Sequence, residues 1–147
     1  MRPEANDLLM GGFGSMLFDI APNLNATYST GSASVLGLLM YCAAIEYERG
    51  AEVRAKENDM FRTIFRDATG HLSGDVQNRV SAAGQGVDEV LTISALNASN
   101  DALRELLIEL HAYVEEMSEA WARDVEHAIL KALNESAKMR AIALPAL

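Results

Sequence analysis

Cys42 is the single cysteine of this sequence, so no internal disulfide can form and nothing in the cysteine usage points to an oxidising compartment. Basic residues are in deficit. Twelve Lys and Arg against twenty-one Asp and Glu leave a net charge of −9, which on average repels a nucleic-acid backbone or an anionic membrane surface. Neither nucleic acid nor a membrane is an expected partner. The opening Met1-Arg2-Pro3-Glu4, with Asp7 close behind, lacks the basic segment, continuous apolar stretch and small-residue cleavage site of a secretory signal. The expected compartment is the cytoplasm. No alternating run of β-branched residues makes a strand, and no internal repeat or low-complexity segment is evident. The uncharged stretch from Ile20 to Ile45 is dense in Asn, Ser, Thr and Gly in its first half. Its strongly apolar part, 33–45, is short of the ~20 residues a spanning helix needs, and it reads as a buried helix.

What is present is the composition of a globular chain. Half of the 147 residues are apolar and 22% are charged, which suits one domain, 1–147, with a single core. The pattern predicts an all-α helical bundle of about four helices. Pro3 is placed to open a first helix with Leu8, Leu9, Phe13, Met16, Leu17 and Ile20 on its apolar side, weakened by Gly11, Gly12 and Gly14. From Leu24 a stripe with helical spacing runs through Tyr28, Val35, Leu38, Leu39, Cys42, Glu46, Val53, Met60, Ile64 and Ala68, ending at Thr69-Gly70, where a left-handed glycine would close the helix. Unbroken, this second helix is about 65 Å long, against a radius of gyration of ~15 Å for a compact domain of this size. Either it breaks in the polar run from Gly50 to Asp59 or it projects and pairs with another subunit.

A third helix is predicted from Ser73 or Asp75 to about Leu96, with Val76, Val80, Ala83, Val87, Val90 and Leu91 inward. Its small residues, Ser81 to Gly86, either pack very close to a neighbour or bend. Ser99 or Asn100 would cap a fourth helix whose stripe is Leu103, Leu107, Leu110, Val114, Met117, Trp121, Val125, Ala128 and Ala132, with nothing to break it before Pro145.

Glu46 falls on the second helix's apolar stripe, seven residues after Leu39 and seven before Val53, and a carboxylate turned inward must be paired, protonated or metal-bound. Arg49, three residues on, is its nearest partner in sequence. The pair reads as a structural ion pair or, more sharply, as a ligand-binding site. Asp124 and His127 sit one turn apart, and an acid three residues before a histidine is one element of di-metal bundles; the plainer reading is a solvated flank. His111 and Glu115 have metal-compatible spacing too, but His111 and His127 lie roughly 24 Å apart along one helix. Cys42 reads as core. Gly11-Gly12-Phe13-Gly14 and Gly84-Gln85-Gly86 lack the strand and the downstream residues of a phosphate loop. No cofactor is expected.

Arg2-Pro3, Leu8-Leu9, Ile20-Ala21-Pro22 and Glu46-Tyr47-Glu48-Arg49-Gly50 resemble segments of an uncharacterised bacterial all-helical family whose genes lie near phosphotransferase-like kinases and acyl-CoA dehydrogenases. The likeness covers the first fifty or so residues, and the stretch from Asn23 to Ser34 departs from it. It implies an accessory protein and carries no catalytic residue over. The functional expectation is a non-enzymatic interaction protein that forms a homo-oligomer or binds a protein partner, motivated by apolar positions at Met60, Phe61, Ile64 and Phe65. The alternative is a metal- or small-ligand-binding bundle, an enzyme among the possibilities, using Glu46 with Asp124 and His127. A third is a carrier of a small apolar ligand, suggested by the Gly- and Ala-rich third helix.

Overall fold

The structure is a computed structural model that describes residues 4–145. It is all-α, with five helices and no strand among the described residues: α1 (Ala5–Gly14), α2 (Thr27–Thr69), α3 (Gly74–Gln85), α4 (Ile93–Glu115) and α5 (Ala120–Arg140). A π-turn over Ser15–Ile20 and a 3-10 turn over Ala21–Asn23 follow α1. Two compact units divide at Gly50: residues 4–50 with 142–145, and residues 51–141. The second helix does not break in its polar run, because Glu57 and Asn58 find partners there rather than water.

In the first unit α1 and the π-turn lie against α2 at glycines. A Cβ on Gly37 would stand 3.2 Å from Met16 Cβ and 3.3 Å from the Phe13 carbonyl, and one on Gly12 would meet Met40 Sδ. Glycine here permits close approach of two helices. The Phe13 ring rests on Tyr41, 5.3 Å between centroids, and the Tyr41 hydroxyl donates to the Ala143 carbonyl at 2.9 Å.

The second unit holds the main core. Phe61, Ile64, Phe65 and Ala68 of α2 pack with Val80 of α3, Leu103, Leu107, Leu110 and Val114 of α4, and Val125, Ile129 and Ala132 of α5. Phe61 and Phe65 are fully buried, so the apolar end of α2 that was expected to seek a second subunit is already covered by α4 and α5. The third helix stops at Gln85, eleven residues early. Val87, Val90 and Leu91, expected inward, are exposed in the connection to α4. That connection serves Asp88 instead, which pairs with Arg62.

Thr92, not Ser99 or Asn100, caps α4: its Oγ1 accepts from the Ala95 amide at 3.4 Å. The long fourth helix is in fact two, α4 and α5, parted by a turn at 116–119, which lets the stripe fold back and bury itself against its own continuation. After Thr69 the chain turns through bonds from the His71 and Leu72 amides to the Ala68 and Thr69 carbonyls. The left-handed glycine is Gly74 (φ 67°), at the start of α3, rather than Gly70.

Candidate functional site

Glu57 is fully buried in the second unit, on the face of α2 that also carries Val53, Phe61 and Ile64. Its Oε1 accepts from Arg104 of α4 and from the Ser136 hydroxyl of α5, the latter at 2.5 Å. Its Oε2 accepts from Arg140 through Nε at 3.0 Å and through a second guanidinium nitrogen. Burial pushes this carboxyl up, but the hydrogen bonds from Arg140 and Ser136 and the charges of Arg104 and Arg140 outweigh it, holding Glu57 below its ordinary value.

The network continues through amides. Arg104 Nε donates to Asn100 Oδ1 at 2.9 Å, and Asn100 Nδ2 donates to Asn58 Oδ1 at 2.9 Å. Asn58 in turn donates to Asp88 at 3.0 Å and to the Leu96 carbonyl at 3.3 Å. Asp88 receives both arms of Arg62, at 2.9 and 2.7 Å, and that fork holds its carboxyl far below the usual range against the opposing effect of burial. Most buried polar groups of the network are thus satisfied, the exception being Arg62 Nε, which is buried and finds no hydrogen-bond partner among the described residues.

Over this network opens a polar hollow of about 450 Å³ lined by Arg54, Asn97, Asn100, Asp101, Arg104 and Arg140. Arg54 Nε donates to Asn97 Oδ1 at 2.5 Å. The Arg104 and Arg140 side chains are 36% and 39% exposed although each grips a carboxylate that has no exposure at all. They form the boundary between core and water.

The residues singled out from the sequence fall elsewhere. Glu46 is half-buried and Arg49 exposed, both in the first unit. Asp124 and His127 are exposed in the second. Asp124 borders a hollow of about 190 Å³ with Asp67, His71 and Trp121, where the His71 ring stacks on Trp121 at 5.0 Å. The group suited to a metal is instead His111 and Glu115 of α4 with Glu126 of α5, whose donor atoms lie within 4.8 Å of one another. His111 Nε2 is buried and makes no hydrogen bond among the described residues, with Glu115 Oε1 3.6 Å away. Sequence spacing paired His111 with Glu115; the α4–α5 turn adds Glu126 in place of Asp124 and His127.

The first half of α2 presents a bare apolar face. Gly37, Met40, Tyr41 and Ala44 are turned toward α1 or buried, and at 100° per residue the opposite side carries Tyr28, Val35, Leu36 and Leu39, exposed by 86, 56, 43 and 60%. Tyr28, Val35 and Leu39 were expected inward; α1 covers only one side of α2, and among the described residues of its unit no helix covers this side. Thr27, Gly31 and Ser32 complete a shallow hollow of about 500 Å³ along it. By length and composition alone α2 holds a window apolar enough to cross a membrane, with mean hydropathy 1.3 and 11% of it buried.

No family model, curated protein or solved structure matches the chain.

Proposed function

We propose that this chain is a non-enzymatic helical accessory protein that self-associates, a second copy covering the bare face of α2. The observation that carries this is the exposure of Tyr28, Val35, Leu36 and Leu39 in one stripe. Fully burying each aliphatic side chain is worth about 1.5–3 kcal/mol, and contiguous exposed apolar patches mark association sites. A second copy suits the stripe for two reasons. The chain repels itself at −9 overall, but the stretch 20–45 carries no charge, so two copies meeting there bring no like charges together. The stripe also sets large Tyr28 and Leu36 beside small Gly31 and Ser32, a surface that can interlock with itself about a two-fold axis. A bilayer suits it less: Thr27, Ser29, Thr30, Ser32 and Ser34 crowd its first two turns. The family resemblance at the N-terminal end, which implies an accessory role, points the same way.

Sedimentation velocity across micromolar concentrations is expected to show a dimer, and Leu39→Glu to return it to monomer with helicity unchanged. A compact monomer at every concentration overturns the reading, as does flotation of the protein with anionic lipid vesicles, which would give the face to a membrane.

A second reading, a divalent-metal-binding bundle, is favoured by His111, Glu115 and Glu126. Two carboxylates and one imidazole offer the mixed oxygen and nitrogen donors that Zn²⁺ accepts, and the buried, unpartnered Nε2 has a lone pair to give. Titration calorimetry with Zn²⁺ should then show stoichiometric binding that Glu126→Gln weakens by at least tenfold. Equal heats for the two proteins end it.

A further inference from the structure

We propose that the hollow over Glu57 is a binding site for a small anion bearing a carboxylate or phosphate group, gripped by Arg104 and Arg140 with Arg54 at the rim.

The first argument is charge. Three arginines and one aspartate line the hollow, and Glu57 lies beneath it; the formal sum of these groups is +1, in a chain whose net charge is −9. A locally positive, concave site on an acidic protein concentrates anions where the rest of the surface turns them away.

The second is surplus. One buried carboxylate is neutralised by one guanidinium, yet Glu57 holds two, with Ser136 completing Oε1. A guanidinium has five N–H donors in a fixed plane. Arg104 uses Nε on Asn100 and one terminal nitrogen on Glu57 and Ser136; Arg140 uses Nε and one terminal nitrogen chiefly on Glu57. Each is over a third exposed and lines the hollow, and Nη1 of each is left for a ligand.

The third is preorganisation. Asn100, 4% exposed, locks Arg104 from the side and is itself locked by Asn58. Glu57 is therefore a positioning residue: it fixes two guanidiniums, each of which keeps its second terminal nitrogen to donate to a carboxylate or phosphate. A hollow of about 450 Å³ admits a small organic acid or a phosphate monoester and lies within the range of small-molecule sites. Its lining is polar, with no large apolar side chain, which suits a short, highly charged ligand better than a fatty one.

The test is titration calorimetry on the full chain at constant ionic strength, with inorganic phosphate and succinate as separate probes and sodium chloride as control. Saturable binding of at least one probe, absent with chloride, is expected; the arm that binds tells phosphate from carboxylate. Arg140→Gln should weaken it at least tenfold, and Arg104→Lys, which keeps the charge and loses the fork, by several-fold. Should either variant lose helicity, Asp101→Asn decides, because Asp101 is exposed on the rim: removing its charge should tighten binding about threefold. No saturable binding of either probe, or an affinity indifferent to both Arg140→Gln and Asp101→Asn, overturns the proposal.

Discussion

Glu57 and Glu46 illustrate one rule with two outcomes. Both lie on the stripe of α2, Glu57 four residues after Val53 and four before Phe61, so the reasoning that picked out Glu46 applied equally to Glu57. It was hidden by its neighbours: in the run Gly50 to Asp59 a single inward carboxylate is easily taken for part of a solvated segment. The partners Arg104, Ser136 and Arg140 stand 47, 79 and 83 residues away, distances that no local pattern reports. Removing the charge should be costly. Glu57→Gln leaves two guanidiniums facing one neutral amide, and breaking a buried pair in this way costs about 3–5 kcal/mol; urea denaturation followed by circular dichroism measures it.

The same residues set a pH dependence. Glu57 and Asp88 have folded-state values depressed below their ordinary ones, so their stabilisation is fully present above the unfolded carboxylate range, about pH 4–5, and is lost as pH falls through and below it. Unfolding free energy should be nearly level from pH 8 to 6 and drop on going to pH 3.5. Asp88→Asn should flatten part of that drop, as read by denaturant midpoints at the two ends.

Among the elements, the boundary between α4 and α5 shows what periodicity hides. Val114, Met117 and Trp121 keep a spacing of three and four straight through the turn at 116–119, so the stripe continues in register while the backbone reverses. The faces were legible: Leu103, Leu107, Leu110, Val114, Val125 and Ala132 are buried as the spacing predicts. The reversal was not, because no glycine or proline marks it and the N-cap residue of α5, Glu119, makes no side-chain capping bond.

The small residues of α3 were legible as a place of close packing, which occurs at Gly84, but where a bend within a longer helix was the alternative, the helix instead ends. The helix ends at Gln85, and a Cβ on buried Gly84 would lie 3.1 Å from the Arg66 backbone nitrogen and 3.4 Å from Phe65 Cβ. Gly84→Ala is therefore expected to destabilise by about 1–3 kcal/mol through overpacking. Gly70→Ala, where the added methyl meets nothing within 4 Å, should leave the melting temperature within error of the parent.

At the scale of the whole molecule, charge and the bare face of α2 work against each other. Copies at −9 repel, and salt screens that repulsion with a Debye length of about 10 Å at 0.1 M, while the apolar contact is little weakened. Self-association should accordingly strengthen from low to physiological salt. The melting temperature should rise with protein concentration if the dimer, rather than the monomer, is what unfolds.

The two units also differ in how the chain composes them. Residues 51–141 form one unbroken stretch, whereas the described part of the first unit combines residues 4–50 with 142–145, joined by the Tyr41–Ala143 bond across 102 positions. In refolding, the second unit draws its partners from one continuous segment, while the first makes the Tyr41–Ala143 bond only when 142–145 return to α2. Closing a loop of that length costs less once the intervening chain has already collapsed. Refolding is therefore expected to run in order, with the arginine-lined hollow formed before the Tyr41–Ala143 bond closes. Pulse-labelled hydrogen exchange during refolding should find amides of α4 and α5 protected ahead of those in α1.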